Sequence, residues 1–213
     1  MNAPGLPTIA PYPLPVRDDL PKARAPFRLE ADRAALLVHD MQRYFLRPYQ
    51  PDSDPIATAS ANIQRLISKC RLVGVPVFYT AQTTNQDRRD RGLQAELWGP
   101  GMSDPDIHQP IVSDLAPGEN EFVLTKHRYS AFQRSNLERA MRARGRDQIV
   151  ICGVYAHIGC LLTAADAFMR DIEPFFVADA LADFSREKHD MALSYVASVC
   201  GVPCLADDIE AAL

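Results

Sequence analysis

Short apolar runs alternate with longer amphipathic segments over residues 33–205, and this alternation restricts the fold more than any other feature of the sequence. The runs have the length of buried strands, and the segments between them carry apolar residues at helical spacing. Gly74 follows the first such segment as a helix stop. We therefore predict crossover units forming a doubly wound, three-layer α/β/α domain with a six-stranded parallel sheet. The predicted strands are 34–38, 75–79, 122–124, 148–152, 174–178 and 202–205, and the predicted helices are 56–73, 135–144, 158–170 and 187–199.

The first 26 residues contain seven of the 17 prolines. This density excludes helix and disfavours a central strand. We expect residues 1–30 to form an extended arm that wraps the domain or a neighbouring subunit, and residues 31–213 to form the domain itself. The arm favours a homo-oligomer, a dimer or larger.

Composition and charge exclude several classes of protein. Lys and Arg total 23 against 27 Asp and Glu, a net charge of -4, so no nucleic-acid or anionic-membrane partner is expected. No apolar stretch is long enough to span a membrane and no signal peptide is evident, which predicts a cytoplasmic protein. The five cysteines are an odd number without framework spacing, so we expect reduced, mostly buried thiols.

Polar residues follow three of the predicted strands, where doubly wound proteins bind ligands. Asp40 follows the first strand and is a candidate acid or base, although a helix or turn cap is equally compatible with its position. Lys126 follows the third strand beside aromatic residues, where it would hold an anionic substrate or a carboxylate, or simply lie at the surface. The fourth strand leads into a helix whose free backbone N–H groups would suit a carboxylate.

Several long motifs in order resemble the isochorismatase-like hydrolase superfamily. Within it, the sequence is most similar to the true isochorismatases of siderophore and phenazine biosynthesis, which lack the nucleophilic cysteine of nicotinamidase-like members. The motifs occupy residues 39–45, 79–82, 98–102, 128–132, 153–157 and 166–185. One departure is His127, where relatives usually have tryptophan, and it is expected to alter the packing beside Lys126.

The resemblance also implies the position at which a cysteine nucleophile would be expected. Cysteine hydrolases of the superfamily carry it at the position of Gly159, and here the cysteine comes one residue later, at Cys160. Adjacent helical residues point about 100° apart, so Cys160 is not expected to replace that nucleophile and is interpreted as structural.

The resemblance implies hydrolysis of the vinyl ether of isochorismate to pyruvate and 2,3-dihydro-2,3-dihydroxybenzoate, without a covalent intermediate. Asp40 would protonate the methylene carbon, and for this role we expect burial to outweigh the field of Lys126 so that Asp40 keeps its proton. Lys126 and the backbone around Tyr155 and Gly159 would bind the enolpyruvyl carboxylate, with Gln82 near the ether or the attacking water.

Further site residues are expected around this centre. Arg91 would be another contact for the anionic substrate, unless it belongs to a solvated basic loop with Arg88 and Arg89. Four aromatic residues would wall the pocket, although each is also compatible with a plain core position. The resemblance further predicts a cis peptide bond between Val154 and Tyr155. The aromatic residues are Tyr44, Phe45, Trp98 and Tyr155.

Alternative functions remain open at this point. One choice is between two substrates: isochorismate, which carries a hydroxyl group on the ring, and 2-amino-2-deoxyisochorismate, the substrate in phenazine synthesis, which carries an amine there. A cysteine amidohydrolase is a weaker candidate. A nucleotide-binding module is disfavoured because no glycine-rich phosphate loop follows the first strand, and a non-catalytic scaffold would not explain three polar strand ends.

No metal or other cofactor is expected. Asp52 and Asp54 lack an Asp-x-His pattern, and His39, His127 and His157 share no metal-binding spacing. Eight residues follow Leu205 and no Gly-x-Asp-Ser site for phosphopantetheine is present, so a stand-alone hydrolase without a carrier domain is expected.

Overall fold

The structure, a computed structural model, describes residues 5–213, so Pro4 of the predicted arm lies outside it. Six parallel strands form one sheet in the order β3-β2-β1-β4-β5-β6. The predicted doubly wound α/β fold is confirmed. The strands are β1 (Ala34–His39), β2 (Val77–Ala81), β3 (Phe122–Thr125), β4 (Gln148–Val154), β5 (Glu173–Ala182) and β6 (Val202–Cys204).

Helices cover both faces of the sheet, which is why the strands are almost continuously apolar. Helices α2 and α8 share one core cluster with alternate strand residues such as Leu36 and Val38, and α5, α6 and α7 share the other with Ala35 and Leu37. The helices are α1 (Arg43–Leu46), α2 (Ile56–Val73), α3 (Arg88–Arg91), α4 (Gln94–Trp98), α5 (Leu137–Arg142), α6 (Leu161–Phe168), α7 (Arg186–Val199) and α8 (Ala206–Ala212).

The described part of the arm packs on the domain of its own chain. Ile9, Tyr12 and Leu14 are buried in the α2-side core, and the Tyr12 backbone N–H donates to the carbonyl of Asp54 at 3.2 Å. The arm is extended apart from one 3-10 turn, Arg17–Asp19, so the expectation of no helical structure was wrong at this turn.

Two elements differ from the sequence prediction in a way that affects the site. Strand β5 continues to Ala182 rather than ending at 178, because a bulge against β4 restores pairing beyond Asp179. The predicted helix 158–170 begins instead as a π-helical turn, Ala156–Cys160, which leads into α6.

Strands β1 and β4 lie side by side at the centre of the sheet, and the chain leaves them toward opposite edges. A crevice therefore opens at their carboxyl ends, where Asp40 and the turn after Val154 lie. Within residues 5–213, no helix is long and apolar enough to cross a membrane, and no group of three or more His, Cys, Asp or Glu is arranged to hold a metal ion.

Candidate active site

One cavity opens at the carboxyl ends of the central strands. All nine residues that the sequence singled out line it: Asp40, Tyr44, Phe45, Gln82, Arg91, Trp98, Lys126, Tyr155 and Gly159.

A buried ion pair lies at the base of the cavity. The Nζ of Lys126 is 2.8 Å from Oδ2 of Asp40, and both residues are under 5% exposed. Thr80, on β2, donates its hydroxyl to Oδ1 of Asp40 at 2.6 Å and accepts the Asp40 backbone N–H at 3.0 Å. Both carboxylate oxygens of Asp40 are therefore held by neighbouring strand ends. Sequence reasoning missed Thr80, although it lies in one of the motifs.

The structure contradicts the expectation that burial outweighs the field of Lys126 at Asp40. Burial raises its pKa and is the largest single influence, but the Lys126 ammonium and the hydrogen bonds from Lys126 and Thr80 together bring the pKa of Asp40 below its ordinary value. The structure therefore favours the carboxylate form of Asp40, which is paired with Lys126.

Arg91 is inside the cavity, whereas Arg88 and Arg89 are exposed. Its Nε–H donates to the carbonyl of Gly99 at 2.8 Å and its Nη1 donates to Oε1 of Gln82 at 3.3 Å. No carboxylate among the described residues pairs with it, and burial lowers its pKa without removing the charge of a guanidinium. Arg91 thus supplies an uncompensated positive charge.

Gln82 is fixed through its backbone by Gln42. The Gln42 side chain accepts the Gln82 N–H at 2.7 Å and donates to the Gln82 carbonyl at 2.8 Å. This leaves the Gln82 amide free to face the cavity, where its oxygen meets Arg91.

The aromatic residues form a connected wall. The Tyr155 hydroxyl donates to the carbonyl of Phe45 at 2.6 Å, and the Tyr155 ring lies 4.4 Å from that of Phe184. Trp98 donates its Nε1–H to the Tyr129 hydroxyl at 2.7 Å. A carboxylate–ammonium pair, a free guanidinium and an aromatic wall together suit an anionic, partly apolar ligand.

Comparison with known proteins agrees with this geometry, because the model of the isochorismatase domain matches residues 34–208. The chain belongs to the isochorismatase family. It is 47% identical to the isochorismatase of Bacillus subtilis, over 96% of this chain but only 65% of that protein, and 50% identical to the phenazine biosynthesis protein PhzD1 of Pseudomonas aeruginosa, over 96% of this chain and 98% of that one.

The fold of the family is also found among solved structures. A cysteine hydrolase from Pseudomonas syringae pv. phaseolicola superposes with a TM-score of 0.78 at 24% identity, covering 90% of this chain and 96% of that one. This likeness shows the α/β fold predicted from the sequence, and the family model together with the two relatives makes the chain an enzyme of the isochorismatase family.

The turn after β4 differs from a cysteine-hydrolase site. Gly159 lines the cavity, whereas Cys160 is 0% exposed in the core beneath α6, where burial raises its pKa well above the ordinary value. A thiolate is the reactive form of cysteine, so Cys160 is unsuited to nucleophilic attack. The predicted cis peptide bond between Val154 and Tyr155 is confirmed.

Seven further residues line the cavity of this isochorismatase-family chain without having been predicted. Four of them lay inside the motifs given above, but Leu6, Gln94 and Ile158 carried no signal, because their elements meet only in the folded chain. The four are His39, Tyr129, Val154 and Phe184. The side chain of His127 does not line the cavity; its carbonyl accepts a hydrogen bond from Gln94 at 2.9 Å. The seven are Leu6, His39, Gln94, Tyr129, Val154, Ile158 and Phe184.

Proposed function

We propose that the chain hydrolyses the enolpyruvyl vinyl ether of isochorismate by protonating its terminal carbon, with Asp40 as the general acid. The observation that carries this proposal is the buried carboxyl group of Asp40, which faces a cavity beside a glycine at position 159. The neighbouring thiol of Cys160 is buried in the core. Such a site is equipped for proton transfer and lacks a nucleophile at the position that cysteine hydrolases use.

The charge of the cavity supports an anionic substrate. Asp40 and Lys126 compensate each other at 2.8 Å, so the guanidinium of Arg91 leaves one net positive charge among these three groups. Isochorismate carries two carboxylates. We assign the enolpyruvyl carboxylate to Lys126 and the backbone of the turn at Tyr155 and Gly159, and a further anionic contact to Arg91.

The proposed reaction begins with proton transfer from Asp40 to the methylene carbon, which becomes a methyl group and leaves an oxocarbenium ion. Water adds to the cationic carbon and returns a proton to the Asp40 carboxylate, and the hemiketal then breaks into pyruvate and 2,3-dihydro-2,3-dihydroxybenzoate. Gln82 is positioned to orient the water or the ether oxygen, and the aromatic wall excludes other water. No covalent intermediate is required.

We assign the protonated form of Asp40 to the complex of the enzyme with its substrate. A substrate carboxylate that contacts Lys126 weakens the hold of this ammonium on Asp40 and adds negative charge beside it. Both effects raise the pKa of Asp40, so binding of substrate is coupled to uptake of a proton.

The second candidate substrate is 2-amino-2-deoxyisochorismate, which the relationship to the phenazine biosynthesis protein PhzD1 favours. Pyruvate release from the two substrates, compared side by side at equal enzyme concentration, identifies the physiological one by the larger kcat/KM. Release from neither would refute the vinyl-ether proposal.

We further propose a homo-oligomer, a dimer or larger, acting in the cytoplasm. Four exposed apolar side chains, Leu93 and Leu97 near α4 and Leu162 and Met169 near α6, line one surface groove, and all five cysteines are unpaired. We expect sedimentation of the full chain to report more than one subunit, and Leu162→Glu to shift it toward the monomer. A monomeric wild-type chain would refute the oligomer.

A further inference from the structure

His39, the last residue of β1, is a buried side chain that the reaction as proposed does not use. It is 1% exposed, lines the cavity and lies directly before Asp40. Its Nδ1 donates to the carbonyl of Val154, at the end of β4, at 2.7 Å. A single side chain thus connects the strand that carries the acid to the strand that carries the turn.

Two glycines make room for His39: Gly153 near the end of β4, and Gly159 in the π-helical turn that follows it. A Cβ atom on Gly159 would lie 2.2 Å from Cε1 and 2.8 Å from Nε2 of His39, and a Cβ on Gly153 would lie 2.2 Å from the His39 carbonyl oxygen. Contacts this short are incompatible with van der Waals packing. The His39 imidazole and any side chain at position 159 therefore exclude each other.

The imidazole is neutral near neutral pH, because burial lowers the pKa of His39 to about 4. Its Nδ1 carries the proton given to Val154, and its Nε2 has no hydrogen-bond partner in the described part of the chain. Nδ1 is 3.8 Å from Oδ2 of Asp40, too far for a hydrogen bond. These contacts suit a spacer better than a proton carrier.

We propose that His39 is a positioning residue for the hydrolysis: its imidazole fills the space of the side chain absent at Gly159 and holds Asp40 at a fixed separation from the turn after β4. The proposal rests on the function proposed above, in which Asp40 supplies the proton and this turn binds the carboxylate. Moving one group relative to the other by about 1 Å would slow proton transfer by about 100-fold.

A double-mutant cycle between positions 39 and 159 tests this role. Gly159→Ala introduces the excluded methyl group, and we expect it to lower kcat by about 100-fold. His39→Asn keeps an N–H donor for Val154 but vacates the space beside Gly159. In the double variant the new methyl occupies that space, so we expect kcat at least about tenfold above that of Gly159→Ala alone.

Gly118→Ala is the matched control, because its methyl would lie at an ordinary 3.6 Å from Glu121 and far from the cavity. Thermal unfolding is measured on the wild-type chain, the two single variants, the double variant and the Gly118→Ala control. A double variant no more active than Gly159→Ala, or one that regains thermal stability without regaining kcat, would overturn the positioning role. Failure of the wild-type chain to release pyruvate would instead refute the proposed function.

Discussion

Asp40 is poised between two environments that act on its proton in opposite directions. Burial favours the neutral acid, whereas Lys126 and Thr80 favour the carboxylate, and the carboxylate prevails. Catalysis by carbon protonation requires the opposite state in the complex. In the proposed mechanism, the protonation of Asp40 is therefore controlled by the bound substrate.

Substitution at Asp40 and at Cys160 separates the two chemistries that this fold supports. We expect Asp40→Asn to lower kcat by about 1,000-fold or more, because a general acid contributes about 100- to 10,000-fold. Cys160→Ser is expected to leave kcat within a few-fold, because the thiol lies in the core. Pyruvate release measures both, and loss of activity in Cys160→Ser at unchanged thermal stability would contradict a mechanism that uses no cysteine nucleophile.

Thr80 lowers the pKa of Asp40 by donating a hydrogen bond of 2.6 Å to its carboxylate. Thr80→Val removes a donor that stabilises the carboxylate, so it raises the pKa of Asp40. Because the acid must be protonated, kcat falls above that pKa, and we expect the falling limb of the kcat–pH profile to move to higher pH. Thr80→Ser retains the hydroxyl and is the control. A limb unmoved in Thr80→Val would contradict the assignment of Asp40 as the acid.

At this scale the sequence predicted which residues line the cavity better than it predicted the protonation of Asp40. Asp40 and Lys126 could be found because each follows a strand, and the carboxyl ends of parallel strands meet at one edge. The pKa of Asp40 could not, because it depends on distances of a few ångströms between three separate strand ends.

At the scale of elements, the turn after α4 holds Arg91 in the cavity. The carbonyl of Gly99 accepts its Nε–H, and a Cβ on Gly101 would lie 2.8 Å from its guanidinium carbon. The glycine at 101 thus allows the chain to pass closely around a buried cation.

Gly101→Ala should displace the Arg91 guanidinium and weaken binding of the anionic substrate. We expect KM to rise by about tenfold, with a smaller change in kcat, since a hydrogen bond to a charged group contributes about 1.5–3 kcal/mol. Gly145→Ala is the control for backbone strain, because Gly145 also has positive φ but no atom near its Cβ position. Equal effects of the two substitutions on KM would contradict the conclusion that Gly101 makes room for the Arg91 guanidinium.

Element boundaries were predictable where apolar periodicity begins or ends, as in α2, which spans the predicted residues 56–73. They were not predictable at β5, because the polar Asp179 interrupts the apolar run and the strand was therefore predicted to end at residue 178. Its carboxylate accepts the backbone N–H of Ala206 at 2.7 Å, at the start of α8, a contact between segments 27 residues apart.

At the scale of the whole molecule, two buried histidines link stability to pH. Burial lowers the pKa of both His39 and His189 to about 4, from 6.5 for the unburied side chain. Between these values the unfolded chain binds protons that the folded chain does not, so stability falls as pH decreases from 6.5 to 4.

Each histidine is expected to contribute a slope of up to about 1.4 kcal/mol per pH unit to the free energy of unfolding in this range. Denaturant unfolding at several pH values measures the slope. His189→Asn, at a site remote from the ion pair of the cavity, should reduce the slope by the contribution of one histidine. An unchanged slope would show that His189 is protonated in the folded chain.

The topology of the molecule followed from the alternation of runs and helices, because strands joined by crossover helices pair in parallel and wind with one hand. The course of the arm did not follow, since its prolines exclude regular structure without specifying a partner surface. Contacts of Tyr12 show that the arm packs on the domain of its own chain. The Tyr12 hydroxyl lies 3.3 Å from Nδ1 of His189 and accepts the backbone N–H of Asp183 at 2.7 Å.

The central claim, that water attacks the enolpyruvyl carbon after carbon protonation, is tested most directly by hydrolysis in water enriched in oxygen-18. The ring–oxygen bond stays intact in this mechanism, so mass spectrometry should find the dihydrodiol product without label in its hydroxyl groups. Label in a ring hydroxyl would mean attack at the ring carbon and would contradict the account.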